Sequence, residues 1–241
     1  MKQVITFIEK KNQEFAELPL FEYMKNKSIT PRERLAFAPC MTHFIMSFRD
    51  LNSYIYREEP ATDEIQEIVN KHSYEEDHHW FWFLEDLEKL GFNPILSFTD
   101  ASKLMWGSQT IATRKLLYEL IGITSNANSL QKLIVIEATE ATAHTLFLAS
   151  TLVTRELQSI SQKKYHYFGD THLAEEIGHS TASDRIQQFI EEIQLTEEAR
   201  KDAFMLVEQV FKAFTEFYNE LFVYAKTHKV AWCEHKRLQR V

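Results

Sequence analysis

Three groups of acids and histidines stand at intervals that gather each group on one helix face. His172, Glu176 and His179 form His-x3-Glu-x2-His, and at about 100° per residue all three project from the same side of a helix. That side continues as Ser183, Ile186, Ile190 and Ile193, so a polar centre runs into an apolar line. His72, Glu76 and His79 repeat the interval upstream. Their face reads Ile65 and Ile68 or Val69 before them, and Phe83, Leu87 and Leu90 after. The neighbouring face carries Glu67, Lys71, Glu75, His78 and Glu85, a solvated surface. His79 and Glu76 are therefore expected to point inward and His78 outward. Between these segments lies LIVIEATEATAHTLFLAS, in which Glu137, Glu140 and His144 share a face with Leu133 and Phe147.

Carboxylates buried without partners are so costly that their pKa values shift until they are neutral. A divalent or trivalent cation removes that cost. Carboxylate oxygens with imidazole nitrogens, and no thiolate, suit iron or manganese and tolerate zinc. Three arrays also offer more donors than one tetrahedral zinc needs. Helical bundles with inward Glu and Glu-x-x-His sets are the architecture of di-iron carboxylate sites, and both Glu76–His79 and Glu176–His179 have that interval. Plainer readings stand beside this one. Ser73-Tyr74-Glu75-Glu76 is also a capping box, which would make Glu76 a helix cap. Single inward histidines such as His43, His72 and His144 are often satisfied core residues. Glu137 is open to an ion pair with a distant Lys or Arg, and the late triplet to being scattered polar groups on an amphipathic helix.

The elements that must position these groups are helices. Only five Gly and five Pro interrupt 241 residues, so the periodic segments between breakers are long. Val4 to about Lys27 reads as two short helices broken at Pro19. Thr30-Pro31-Arg32-Glu33 is an N-cap with Pro at the first position and Glu closing a capping box. That helix is expected to run through Phe37, Phe44, Phe48, Leu51 and Ile55 with a kink at Pro39. A single helix is expected from about Asp63 to Leu90, stopping at Gly91 and Pro94. Ala101–Trp106, Gln109–Gly122, Leu130–Ser159, Asp170–Gln194 and Thr196–Thr227 follow. The reading is an all-α single domain over residues 1–241, of seven to nine helices.

Composition limits the function. Hydrophobic residues are 44% of the chain, with 18 Phe, enough for a sizeable core. The net charge of −8 and the lack of a basic cluster argue against nucleic acid. The start, MKQVITFIEKKNQEF, lacks a signal peptide's apolar run, and no stretch approaches a membrane span. Cys40 and Cys233 make neither a metal-ligand spacing nor a disulfide framework. A cytoplasmic setting is expected.

The run YHYFGDTHLAEEIGHS resembles the late ligand helix of the heme-oxygenase-like di-iron oxidases and oxygenases, a family that includes the chlamydial CADD-like proteins and the fatty-acid-decarboxylating 1-alkene enzymes. EEDHHWFWFLEDLEKLG resembles its earlier ligand helix and IEATEATAHTLF its middle one, in order over most of the chain. The resemblance implies a compact heme-oxygenase-like helical bundle. It implies metal ligation by His172, Glu176 and His179, with Glu176 where the family commonly has Asp. His79 takes the place of the earlier ligand His. Its acid partner lies three residues before in some members, here Glu76, and seven before in others, where this chain has His72. The middle ligand is Glu140 by distance to His172 or Glu137 by distance to His79, with Glu140 preferred. A further family acid falls near His43, where this chain has imidazole. Two non-heme iron ions are implied, with Mn or Zn as substitutes, acting with O2 on a small-molecule substrate of fatty-acid or amine type. Family chemistry includes oxidation of the protein's own tyrosine, and Tyr74, Tyr165 and Tyr167 lie near the expected ligands. Homodimerisation is left open.

Three alternatives remain. The thiamin-degrading TenA-type branch of the same fold is metal-free but uses a mid-chain cysteine, which is absent between Cys40 and Cys233. True heme oxygenase needs a proximal His near the N-terminus, and the earliest here is His43. A metal-free helical protein of the cofactorless quinone-biosynthesis PqqC type would hold an organic ligand in a polar interior.

Overall fold

The computed structural model describes residues 1–93, 95–181 and 184–228, without the side chains of 176–181, 184 and 185. Among the described residues it is helical throughout, with twelve α-helices rather than seven to nine. They are α1 Lys2–Phe15, α2 Pro19–Lys25, α3 Pro31–Arg34, α4 Thr42–Leu51, α5 Glu64–Glu75, α6 His79–Lys89, α7 Phe98–Trp106, α8 Ile111–Thr124, α9 Ser129–Ser161, α10 Asp170–Thr181, α11 Asp184–Glu192 and α12 Glu197–Thr227. None of the described helices is long and apolar enough to cross a membrane.

Local capping chemistry sets most helix starts. Thr30 and Glu33 form the expected capping box, and Asp63 and Thr196 cap α5 and α12 by accepting from the backbone N–H of Gln66 and Ala199. Asn128 with Gln131 makes a second box at α9. At the end of α6, Gly91 takes φ 73°, and the N–H of Phe92 reaches back to Leu87 O. This left-handed stop is open to glycine at little cost.

Two expected elements are subdivided. The segment after Thr30 is not one kinked helix but α3, a 3-10 turn over Ala38–Met41 that contains Pro39, α4, and a π turn over Asn52–Tyr56. In the Asp170–Gln194 stretch, Asp170–Thr181 and Asp184–Glu192 are helical, and residues 182–183 lie outside the described residues. The Asp63–Leu90 helix is broken into α5 and α6 by a 3-10 turn at Glu76–His78. Arg57 accounts for that break. Its guanidinium donates to Ser73 O at 2.8 Å and to Asp77 Oδ2 at 3.0 Å. A continuous helix would give that carbonyl to the N–H of Asp77.

The long helices α9 and α12 pack on each other, with α1 and α8 against α12 and α5 and α10 against α9. Buried Val207, Val210, Phe211, Phe214, Phe217, Tyr218 and Leu221 form the inner stripe of α12. Phe15 and Phe44 meet it edge-on or tilted, with ring centroids 4.8–5.8 Å apart. Each such ring contributes about 1.5–3 kcal/mol by burial. The carboxylates and imidazoles adjoin this aromatic core, since Phe44, Phe214, Phe217 and Tyr218 line one cavity with Glu76, His79, Glu140 and His172.

Candidate metal centre

Glu76, His79 and His172 are all buried, while His72 and Glu140 keep 14% and 26% of their side-chain surface. His72 Nε2 lies 3.6 Å from Glu140 Oε1, and one donor atom from each of His72, Glu76 and Glu140 falls within 4.8 Å of the others. A second group of the same tightness is His78, His79 and Glu175. The ring of His172 stands 4.4 Å from that of His79. Four helices, α5, α6, α9 and α10, and the turn between α5 and α6 thus bring the donors together.

Glu76 does not close a capping box with Ser73. Its Oε2 is 2.8 Å from His79 Nδ1, while Ser73 Oγ is spent on Asn70 O and on Arg57. A carboxylate only accepts, so Nδ1 of His79 carries the proton and Nε2 faces Glu175 Oε2 at 3.4 Å. Burial works to raise the Glu76 pKa, but the His79 hydrogen bond and the fields of His79, His72 and His172 hold it below the usual carboxylate range. Its other oxygen, Oε1, is buried with no hydrogen-bond partner among the described residues.

His172 is oriented the same way from the other side. Its Nδ1 donates to Tyr167 O at 3.0 Å, which leaves Nε2 as the lone-pair nitrogen. The loop supplying that carbonyl hangs on Asp86, which is fully buried. Asp86 accepts from the backbone N–H of His166 at 2.9 Å and of Phe168 at 3.0 Å. Burial raises its pKa against these bonds. Gly169 closes the loop, because a Cβ there would collide with the Tyr165 carbonyl oxygen. Phe147 and Tyr167 pack on the His172 ring at 3.9 and 4.8 Å, and Trp82 stacks on His79.

Beside these donors lies a cavity of about 50 Å³, whose lining includes Glu76, His79, Glu140 and His172. Its other walls are mostly apolar, among them Phe44, Ile45, Phe48 and Leu146.

Of the six sequence candidates, Glu76, His79, Glu140 and His172 are brought together. The side chains of Glu176 and His179, with Ser183 beyond them, lie outside the described residues. His78 is exposed as expected, although one of its ring nitrogens reaches the His79–Glu175 group. Glu137 does not line the cavity. His43 is buried beside Trp106 and Tyr118, away from the donors, and His144 is half-buried outside both groups. Tyr74 is exposed, while Tyr165 and Tyr167 are buried.

Sequence reasoning missed three residues. Glu175 reaches His79, and nothing in its spacing sets it apart from its neighbour Glu176. Asp86 shares the inward face of His79 and Phe83, and that was its only signal. Tyr56 left none: the π turn buries it fully, and burial and the Glu140 charge raise its pKa.

Glu137 gives a pH-dependent expectation. It is half-buried with no ion-pair partner among the described residues, and burial lifts its pKa from 4.5 to about 7. The folded state therefore holds this proton more tightly than the unfolded chain. Its contribution is complete below about pH 4.5 and lost as the pH rises through about 7. Glu137→Gln, measured metal-free, should gain about 2 kcal/mol at pH 8, a gain that shrinks toward pH 5. Denaturant melts at both pH values check this, and an equal gain at both would refute it.

No protein-family model and no curated protein matches the chain. A solved structure does: a domain of unknown function with a heme oxygenase-like fold from Shewanella denitrificans OS217, with a TM-score of 0.63 and 14% identity, covering 93% of this chain and 90% of that one. At that identity the likeness gives the fold and no residue's role.

Proposed function

We propose, with the heme-oxygenase-like fold as the premise, that the chain is a non-heme iron oxidase or oxygenase. It would hold two iron ions and act with O2 on a small organic substrate of fatty-acid or amine type. The observation that carries this reading is Glu76 Oε1, a carboxylate oxygen buried without a partner among the described residues, amid imidazoles and further carboxylates. A lone pair of that kind is costly unless a proton or a cation meets it. Among the described residues the donors are oxygen and nitrogen only, because Cys40 is buried elsewhere, bonded to Gln109 O, so the set favours iron or manganese over softer ions.

His72, Glu76 and Glu140 would hold one ion. His79, His172 and Glu175 would hold the other, joined by Glu176 and His179 on the resemblance. Bound ferrous iron supplies the electrons and Lewis acidity that O2 chemistry needs. The chain's own residues do the rest. Glu76 and the Tyr167 carbonyl fix the protons on His79 and His172, the Phe147 and Trp82 rings exclude water, and the apolar wall of the cavity takes the substrate's hydrocarbon part. One observation favours a metal-free ligand-binding protein instead: His79 lies between Glu76 and Glu175, where an imidazolium would balance those carboxylates without a metal ion.

Anaerobic titration with ferrous iron separates the two. Two ions per chain are expected, and Glu140→Gln should weaken the first position by about a hundredfold. Stopped-flow mixing of the loaded protein with O2 should then give a transient optical change. Failure to take up iron would leave the metal-free reading standing alone.

A further inference from the structure

We infer that the groove between α1, α2 and α9 is a second binding site, for an amphipathic monoanion with a hydrocarbon chain and a carboxylate head. It is a cavity of about 570 Å³, within the size range of sites for small organic ligands. On α9 it is lined by Thr145, Leu148, Ala149 and Leu152, whereas Glu140, Ala143 and Phe147 of the same helix line the cavity at the candidate metal centre. At about 100° per residue these two sets face roughly opposite directions, so the groove is not an extension of that cavity.

The walls and the charges name the ligand. Leu148 and Leu152 stand 48% and 55% exposed opposite Phe21 and Met24, an apolar trough left facing water. Three cations line it, Lys25, Lys27 and Arg34, against one acid, Glu9. Lys25 is paired with Glu22 at 2.9 Å, but Lys27 and Arg34 share a single carboxylate, Glu156. That end therefore carries more positive than negative charge. Arg34 is only 2% exposed, and its Nε is buried with no hydrogen-bond partner. A carboxylate head beside Lys27 supplies the missing negative charge next to a buried guanidinium, while the hydrocarbon chain covers the two leucines.

The test is isothermal titration of the purified full chain with sodium decanoate and, in parallel, with decan-1-ol. One decanoate per chain is expected, with the alcohol about tenfold weaker. Leu148→Glu, at an exposed position, should weaken decanoate by about tenfold or more, and Leu152→Glu serves if the first variant loses its helical circular dichroism. Lys27→Glu should weaken decanoate and leave the alcohol unchanged. The inference is overturned by absence of decanoate binding. It is also overturned if decanoate binding survives Leu148→Glu but is lost in His172→Gln, which would place the ligand in the buried cavity. Binding of phosphatidylglycerol vesicles without free decanoate, or a dimer that Leu148→Glu dissociates and that takes no decanoate, overturns it equally.

Discussion

His79→Ala lowers the affinity for one of two ferrous ions by about a hundredfold or more, while His78→Ala changes it by less than about threefold. The two histidines are neighbours in sequence with opposite surroundings. His79 is buried between carboxylates, 2.8 Å from Glu76 and 3.4 Å from Glu175. Its alanine variant removes a donor nitrogen from between two acids. His78 is exposed, and a solvated side chain that adds itself to a bound ion loses rotamer freedom for little gain. Metal content after anaerobic loading and desalting reads both variants directly. Equal losses would make His78 a true ligand. The reverse order would replace the inward face of α6 by its solvated neighbour.

The second large effect lies in a residue that touches no candidate ion. Asp86→Ala strips the acceptor from two backbone N–H groups, a half-buried one at His166 and a buried one at Phe168. Each such orphan costs about 1–3 kcal/mol, so a loss of about 3 kcal/mol is expected. For a chain of this length that is a drop of about 9 °C in melting temperature. Because the same loop carries the Tyr167 carbonyl that orients His172, iron affinity should fall as well, even for protein held well below its melting point. Asp86→Asn keeps the shape but sets an amide N–H against one of the two backbone donors, and should recover only part of the loss. An unchanged melt of Asp86→Ala would mean that water replaces the carboxylate without penalty and that the loop is held by something else.

The legible part of this protein is what a few neighbouring residues decide among themselves. Thr30 with Glu33, Asp63 and Thr196 announce helix starts because a cap needs only a side-chain oxygen and a backbone N–H three residues on. The 3.6-residue period separates His79 from His78 because burial follows helix phase, and the apolar residues around His79 report that phase. The same period, with little Gly and Pro, is enough for the all-helical class.

Other features answer to residues far away along the chain. The break at Glu76–His78 follows from Arg57, about twenty positions upstream, taking a carbonyl the helix would have used. Glu137 and Glu140 lie on neighbouring phases of one helix. Which of them meets His72 depends on how α5 lies across α9, a packing angle that neither segment encodes alone. Glu175 reaches His79 through the placement of α10 after the Asp86-anchored loop, whereas periodicity had favoured Glu176. Periodicity reports a side chain's direction about its own axis. Partnership needs the relative position of two axes, which comes from packing over the whole core.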